Sequence, residues 1–356
     1  MITGIHLRHF KSFVDETLVL RPLTVLAGLN SSGKSSILQA VRIAQTGRLP
    51  YGLGSPRDMC SVHSDGDFAI SCSYTTAKGE TVGKEVAYNH QTRKLTSRTT
   101  VSQTGKPAFP HCFFIVADRL GPKTTLPTRD DALLRPADAM YVGEDGSYVL
   151  DVLERYKNAA KTPVELRAPT CGHLAGFLHN IDGWLQEISP GFQVRPIALT
   201  EGDVGTLKFM VNKADRRSSN VGFGLSYVLP ILVTVLLCAI HVGDKRHDNP
   251  VVIVENPEAH LHPRGQTMMG GFLAKAAAYG VQTIVETHSD HLFDGIRLAV
   301  KNGILAFDKV ASYFSRYDIQ EEKSAITPIT IDKYGMCNAW PDGFFDENAK
   351  NLMALV

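Results

Sequence analysis

The chain has 356 residues, of which 44% are hydrophobic and 21% are charged, a composition typical of a folded globular protein with a large core. Its 37 Lys and Arg balance 36 Asp and Glu, so the formal net charge of +1 excludes an overall basic field for nucleic acid and leaves only local basic patches. The six cysteines form no C-x-x-C pair, which predicts reduced thiols and neither zinc nor disulfides. Residues 1–9 lack the pattern of a secretory signal, and we expect a cytoplasmic protein.

The segment 1–125 is predicted to form an N-terminal lobe, and the segment 126–192 a helical insert. Apolar and β-branched runs in the lobe favour short strands at 2–7, 17–20, 23–27, 68–74, 85–88 and 112–116. In the insert, the apolar spacing favours helices at 148–159 and 170–187.

The segment 193–356 is predicted to form a C-terminal lobe. It contains predicted strands at 193–199, 206–211, 251–254 and 281–285, with a long apolar helix and a helix at 264–279 between them. This alternation of strands and helices predicts an α/β fold with a mixed, mainly parallel sheet.

The long apolar run at 225–242 is about as long as one membrane span. It contains Pro230 near its start and follows a glycine-rich loop, so we predict a buried core helix and no membrane partner.

The first chemical motif is GLNSSGKSS at 28–36, which matches G-x-x-x-x-G-K-[ST]. A predicted buried strand at 23–27 precedes it, and residues 36–44 place apolar side chains at helical spacing after it. Strand, glycine-rich loop and helix in this order predict a phosphate-binding loop.

The chemistry of this loop predicts binding of ATP or GTP. Free backbone N–H groups and the positive end of the helix can hold polyphosphate, Lys34 can reach the β and γ oxygens, and Ser35 can ligate Mg²⁺. The expected nucleotide-binding residues are Asn30, Ser31, Ser32, Gly33, Lys34, Ser35 and Ser36.

The second motif, VVIVENPEAHLHP at 251–263, begins with four β-branched residues that favour a buried parallel strand. Glu255 follows at the carboxyl end of that strand, where a P-loop fold places its Mg²⁺-binding acid. Ser35 and Glu255 are therefore the predicted metal ligands. His260 and His262 have no third ligand spaced nearby, which argues against a second metal site.

Two further motifs also place groups that can bind phosphate next to a predicted strand end or helix start. In TIVETHSDH at 283–291 a buried strand ends near Glu286 and His288, and a histidine there can hydrogen-bond a γ-phosphate or an attacking water. In SSNVGFGLSYVLP at 218–230 the glycines allow close backbone approach, and the helix that follows offers its N-terminus to an anion. A second anion-binding loop is explained if it faces the nucleotide of another subunit.

The order of these four motifs resembles the ABC-type ATPase heads of the RecF, SMC and overcoming-lysogenization-defect (OLD) group. The opening LRHFKSF at 7–13 is similar to their first strands, and WPDGFFD at 340–346 resembles the tail of bacterial ATPases often associated with phage-defence operons. The match covers most of the chain and leaves the insert unassigned.

This resemblance implies a P-loop NTPase with an ABC-ATPase-like head, antiparallel N-terminal strands and a role for each motif. It makes 28–36 the Walker A loop, Glu255 the Walker B acid, 260–263 the D-loop region and His288 the switch histidine. The signature loop, acting across a dimer, would bind nucleotide through Gly222, Gly224 and Ser226.

One position departs from the family pattern. ABC-type heads usually place a second acid directly after the Walker B acid as general base, and here that residue is Asn256. An amide cannot take a proton at neutral pH, so hydrolysis should be slow or should depend on Glu258 or Glu286. The predicted catalytic residues are Glu255, Glu258, Glu286 and His288. No glutamine is assigned to the Q-loop, because Gln39 and Gln45 lie on or just after the predicted first helix.

The sequence leaves three functions open. The first is an ATPase that dimerises, or forms a higher homo-oligomer, around ATP-Mg²⁺ and drives or gates a separate effector, a nuclease or toxin, in anti-phage defence. The second is a nucleotide-gated scaffold that restrains such an effector without hydrolysis, which Asn256 favours. The third is a RecF-like DNA-repair ATPase, which keeps DNA as a further partner. With about 65 residues after His291 and no D-x-D pair, we expect no nuclease domain in this chain.

Overall fold

The structure is a computed structural model that describes residues 1–356 except 51, 77, 101–107, 131–133, 135, 200–201, 244–249, 344 and 356. The strands are β1 (Ile2–Phe10), β2 (Phe13–Val19), β3 (Leu23–Gly28), β4 (Phe68–Thr75), β5 (Thr81–Asn89), β6 (Lys94–Thr100), β7 (Cys112–Ile115), β8 (Leu126–Pro127), β9 (Gln193–Ala198), β10 (Val204–Val211), β11 (Ala214–Arg217), β12 (Val251–Glu255), β13 (Gln282–Thr287), β14 (Val310–Asp318) and β15 (Lys323–Ile329). The helices are α1 (Lys34–Thr46), α2 (Pro136–Ala139), α3 (Val149–Tyr156), α4 (Phe177–Ile188), α5 (Phe223–Ile240), α6 (Pro263–Tyr279), α7 (Asp290–Lys301) and α8 (Glu347–Leu355).

The N-terminal strands form an antiparallel sheet of five strands in the order β2-β1-β4-β5-β6. The strands alternate apolar and polar residues, so one face of the sheet is apolar and packs against α1. Leu7 and Ile70 from the sheet and Ile37 and Val41 from α1 are buried in this layer. The predicted antiparallel N-terminal strands are confirmed.

A second sheet of six strands lies at the centre, in the order β15-β14-β3-β13-β12-β7. All neighbours from β14 to β7 are parallel, and β15 pairs antiparallel to β14. β12 and β13 are almost wholly buried because helices cover both faces, which explains their continuous apolar sequences. The predicted α/β fold with a mixed, mainly parallel sheet is confirmed.

The register of this sheet brings separate motifs to one edge. Glu255 is paired with Glu286, and Thr287 with Ala27, so β3, β12 and β13 all end at the same side of the sheet. Because carboxyl ends of parallel strands form the ligand-binding edge of such folds, the loop after β3 meets both acids there. The sheet combines strands of two predicted lobes, because β3 and β7 belong to the segment 1–125 and β12 to β14 belong to the segment 193–356. The division of the chain into three segments remains a prediction.

α5 passes through the second half of the core, between α3, α4 and α6. It is the one helix of the described residues that is long and apolar enough to cross a membrane, and most of it is buried inside the protein. The prediction of a buried core helix is confirmed. β10 carries a small antiparallel sheet with β8, β9 and β11 at the edge of this region.

Several elements differ from the sequence prediction. α4 begins at Phe177 rather than at residue 170, because a short 3₁₀ turn at Pro169–Cys171 ends at Gly172, which has a φ of +54°. The hairpin of β14 and β15, the helix α7 and the edge strand β6 were not predicted, although α7 places Leu292, Ile296 and Ala299 at helical spacing on its buried face. In the tail motif at 340–346, residue 344 lies outside the described residues.

Candidate nucleotide site

The loop after β3 is a backbone cradle that requires glycine at two positions. Gly28 has a φ of +148°, and a Cβ there would lie 2.2 Å from the carbonyl oxygen of Ser315 on β14. Gly33 has a φ of +101°, and a Cβ there would lie 2.7 Å from the Phe13 ring. Because L-residues with side chains are strained at such φ values and no space remains, the loop path depends on these glycines.

The cradle faces a cavity of about 430 Å³. α1 begins at Lys34, so its free N–H groups point toward this space. The cavity is lined by Lys11, Ser12, Asn30, Ser31, Ser32, Gly33, Lys34, Ser35, Ser36, Gln39, Glu286 and His288. Every residue predicted for nucleotide binding in the loop is therefore part of one concave surface.

Lys34 is folded over the loop. Its Nζ donates hydrogen bonds to the carbonyl oxygens of Gly28 at 3.0 Å and Leu29 at 2.7 Å, and the residue is only 3% exposed. Burial lowers the pKa of Lys34, while the nearby Glu286 and Glu258 carboxylates oppose that shift. An ammonium held by two carbonyl dipoles in a cavity can exchange these acceptors for phosphate oxygens, so the cradle fits a polyphosphate.

Ser35 contacts a carboxylate from β13. Its Oγ lies 3.0 Å from both Oε1 and Oε2 of Glu286. Burial and, second, the neighbouring Glu255 carboxylate raise the pKa of Glu286 to about 7, against the opposing effect of Lys34. The Ser35 hydroxyl beside the Glu286 carboxylate, which the Glu255 charge repels, forms an oxygen-rich site that fits Mg²⁺, a hard cation that would relieve this repulsion.

Glu255 is at the same edge but has different partners. Its Oε2 accepts a hydrogen bond of 3.0 Å from the backbone N–H of Ala117, in the segment after β7. Sequence reasoning paired Ser35 with Glu255 as metal ligands, and the carboxylate at hydrogen-bond distance from Ser35 is that of Glu286. The reason is strand order: β13 lies directly beside β3, whereas β12 is one strand further away.

The remaining acid–base candidates are close together. Glu258 Oε1 accepts a hydrogen bond of 2.7 Å from the backbone N–H of His288, and burial raises the pKa of Glu258. Burial and the charge of Lys34 lower the pKa of His288, so its imidazole is neutral at pH 7 and can either donate or accept a hydrogen bond.

Asn256 occupies a strained position after β12. Its φ is +43°, its N–H donates to the carbonyl oxygen of Glu286 at 2.8 Å, and its Oδ1 is buried with no hydrogen-bond partner among the described residues. Asn tolerates the left-handed region better than most residues, which suits this turn. The position directly after Glu255 therefore supplies an amide and no carboxylate.

The predicted signature loop does not line this cavity. Gly222, Gly224 and Ser226 form the start of α5, and none of them is among the described residues that surround the nucleotide cradle. A Cβ on Gly224 would lie 2.7 Å from the carbonyl oxygen of His260, whereas Gly222 faces open space. The Phe223 ring between them is 54% exposed. The start of α5 is thus an open surface separate from the chain's own cradle.

Three functional candidates were not identified from the sequence. Lys11 and Ser12, in the β1–β2 turn, line the cavity, and Lys11 Nζ donates a hydrogen bond of 2.5 Å to Gln39 Oε1. Arg119 is buried and donates hydrogen bonds to the backbone at the end of β12. A charged residue three positions after the predicted buried strand at 112–116 was the signal that could have identified Arg119.

Models of known families match three parts of the chain. An AAA ATPase domain matches residues 174–293, an AAA domain matches residues 4–111, and a protein of unknown function (DUF3696) matches residues 308–355. An OLD nuclease from Thermus scotoductus is 25% identical over an alignment of 369 positions that covers 92% of this chain. The alignment spans 66% of that nuclease's length.

Solved structures share the fold at low sequence identity. An SMC head domain from Pyrococcus furiosus, solved with the C-terminal domain of ScpA, is 12% identical with a TM-score of 0.58, and the match covers 99% of each chain. The recombination mediator RecF in its ATP form is 14% identical with a TM-score of 0.50, covering 92% of this chain and 99% of RecF. With the cradle, the strand order and the acids of β12 and β13, these matches support a P-loop ATPase head that has the fold of the SMC and RecF structures and is similar in sequence to an OLD nuclease.

Proposed function

We propose that this protein binds ATP with Mg²⁺ in the cradle between β3 and α1, and that two copies enclose two nucleotides. The observation that carries the proposal is the Lys34 ammonium, held by carbonyls beside the Ser35–Glu286 pair in an open cavity. In this arrangement Lys34 and the loop N–H groups bind the phosphates, and Ser35, Glu286 and Glu255 supply oxygens for Mg²⁺.

The second copy is proposed because the two anion-binding features of one chain lie apart. The start of α5 offers free backbone N–H groups beside Gly222, which meets open space, and it does not line the cradle. A partner related by two-fold symmetry can place its α5 start over the nucleotide of the first copy, so that each site is completed in trans.

Dimer formation is tested by light scattering with and without ATP-Mg²⁺. We expect the mass to double at saturating ATP in a variant that hydrolyses slowly, such as Glu258→Gln. A monomer at saturating ATP, under conditions in which nucleotide binding is measured independently, would disprove the sandwich and leave nucleotide binding intact.

We further propose that hydrolysis is slow and that nucleotide state gates a separate effector, a nuclease or toxin, in anti-phage defence. Asn256 supports slow turnover, and Glu258 or Glu286 is then the proton acceptor for the attacking water. The likeness to an OLD nuclease and to phage-defence ATPases supports the defence role. Purification from cells that express the neighbouring genes, followed by identification of ATP-dependent partners, tests this part.

Asn256 also favours a second function, in which the protein is a scaffold that binds ATP without hydrolysing it and restrains its effector. Asn256 Oδ1 is buried with no hydrogen-bond partner in the part of the chain that the structure describes, and an amide cannot accept a proton at neutral pH. Steady-state phosphate release separates the two functions. Turnover that Glu258→Gln or Glu286→Gln abolishes supports the ATPase, and ATP binding without any phosphate release supports the scaffold.

A third function, DNA binding of the RecF type, has one supporting observation. Arg195, Lys208 and Arg217 lie directly opposite one another across β9, β10 and β11. Like charges in register destabilise a sheet, and an anion such as a DNA backbone would offset that repulsion. Binding to duplex DNA that weakens steeply with salt, and less steeply in Arg217→Ala, would support this role; salt-independent binding would oppose it.

A further inference from the structure

Arg119 lies in the segment after β7 and is buried against the end of β12, with 2% of its surface exposed. Its Nη1 donates hydrogen bonds to the carbonyl oxygens of Val116 at 2.9 Å and Glu255 at 2.7 Å, and its Nη2 donates to that of Asn256 at 2.6 Å. One guanidinium thus holds two consecutive carbonyls at the point where the Walker B strand ends.

This burial is costly, because a buried charge is usually paired with a carboxylate. Within the described residues, the hydrogen bonds of Arg119 go to main-chain carbonyls, and its Nε is buried without a partner. Burial lowers the pKa of Arg119 to about 10, which still leaves it charged at pH 7. An apolar side chain would fill this space with a smaller desolvation penalty. The feature that only arginine provides here is a planar guanidinium with several N–H donors, which bind the carbonyl oxygens.

The face of the same guanidinium lies against α5. Its central carbon is 5.1 Å from the centroid of the Tyr227 ring, a cation–π contact. The Tyr227 ring meets the His260 ring edge-on, with centroids 4.6 Å apart. A second contact joins the same two segments, since a Cβ on Gly121 would lie 2.7 Å from the Phe223 ring. The start of α5 and the segment 116–121 are therefore closely packed.

The Glu255 carboxylate depends on this segment. It accepts its hydrogen bond from the N–H of Ala117, two residues before Arg119. On the other side, the backbone after β12 is strained at Asn256 and is held to β13 by the hydrogen bond from Asn256 to Glu286. A shift of the Arg119 fork would move both the carbonyl and the carboxylate of Glu255.

We propose that Arg119 is a positioning residue that links the start of α5 to the carboxylate of Glu255. The proposal rests on the proposed function, in which the start of α5 engages the nucleotide of a second copy. When α5 is displaced, Tyr227 moves the guanidinium that it contacts, and the guanidinium moves the two carbonyls to which it is hydrogen-bonded at the end of β12. Through this link, engagement of the start of α5 by a second copy adjusts the position of the Glu255 carboxylate at the sheet edge that also carries Glu286.

The test compares ATP affinity in EDTA with ATP affinity in Mg²⁺. Arg119→Lys keeps the charge, but one amine cannot span two carbonyls. We expect its Kd for ATP in EDTA to stay within about threefold of wild type, because the cradle is untouched. The gain in affinity on adding Mg²⁺ should fall about tenfold or more, as it does when groups that orient metal ligands are lost. In protein without metal or nucleotide, amide exchange at 255–257 should be faster.

Tyr227 supplies the matched variants. Tyr227→Phe keeps the ring face and should retain the wild-type Mg²⁺ gain, whereas Tyr227→Leu should lose about half an order of magnitude or more of it. Because both residues belong to one link, the Arg119→Lys, Tyr227→Leu double variant should lose no more than Arg119→Lys alone.

Three results would overturn the link: an unchanged Mg²⁺ gain in Arg119→Lys, losses that add in the double variant, or an equal loss of affinity in EDTA and in Mg²⁺, which indicates a purely structural role. The wild type separates this proposal from the proposed function. A wild type that binds no ATP in either buffer disproves both. A wild type that gains affinity with Mg²⁺ while Arg119→Lys gains as much disproves the link alone.

Discussion

Ser35 and Glu286, 251 residues apart in the sequence, are joined by hydrogen-bond contacts of 3.0 Å from the serine Oγ to each carboxylate oxygen. The contact connects the first turn of α1 to the end of β13. It places an acid with a raised pKa at the point where the phosphate cradle opens, and the predictions below follow from this arrangement.

The Glu286 carboxyl should make stability depend on pH. Its pKa is about 7 in the folded protein and near 4.5 ordinarily, so the folded state holds a proton that the unfolded chain releases. This contribution is fully present below pH 4.5 and is lost as the pH rises through 7, by at most about 3 kcal/mol. Urea unfolding between pH 5 and 8 should show the decline in the nucleotide-free protein, and Glu286→Gln should flatten it. An unchanged profile in that variant would assign the decline to other groups.

Lys34→Ala should remove most of the nucleotide affinity. The charge-assisted contact to phosphate is worth about 1.5 to 3 kcal/mol, which corresponds to roughly 10- to 150-fold in Kd. Calorimetric titration with ATP measures the change. Lys11→Ala, at the rim of the same cavity, is the comparison that shows whether any lost lysine has this effect. Unchanged affinity in Lys34→Ala would remove the basis for the cradle.

Asn256→Asp should raise the rate of phosphate release. The substitution is nearly isosteric, and Asp tolerates the left-handed conformation that this position requires. A general base contributes about 10²- to 10⁴-fold, so an increase of about tenfold is expected even if the shorter Asp is placed imperfectly. Single-turnover hydrolysis with bound ATP isolates the chemical step. A slower reaction in the variant would show that the amide itself serves the wild-type mechanism.

Gly224→Ala should disturb the start of α5, because a Cβ there meets the carbonyl oxygen of His260 at 2.7 Å. Forced overpacking of this kind costs about 1 to 3 kcal/mol, so thermal stability should fall. Gly222→Ala is the matched control, since its Cβ points into open space at a φ of −62°. We expect Gly224→Ala to keep ATP binding and lose ATP-dependent dimerisation. Wild-type dimerisation in Gly224→Ala would argue against a role of this loop in trans.

The phosphate loop could be predicted because all of its parts are contiguous. A buried strand, two glycines with special backbone angles and the first turn of a helix follow one another within 28–36 and its flanks, so local pattern is enough. The buried strand 251–254 and the core helix at 225–242 were predictable for the same reason. Their uniform apolar sequence requires burial on all sides.

Contacts between distant segments were decided only by the tertiary structure. The strand order β14-β3-β13-β12 places Glu286 nearer than Glu255 to Ser35, and no local pattern in either strand contains that order. The burial of Arg119 between β12 and α5 likewise arises from three segments that meet only in the folded chain. Sequence thus determined which groups can bind phosphate and metal, since residue type and local backbone suffice for that. The partners of each carboxylate depended on strand order and burial, which belong to the whole core.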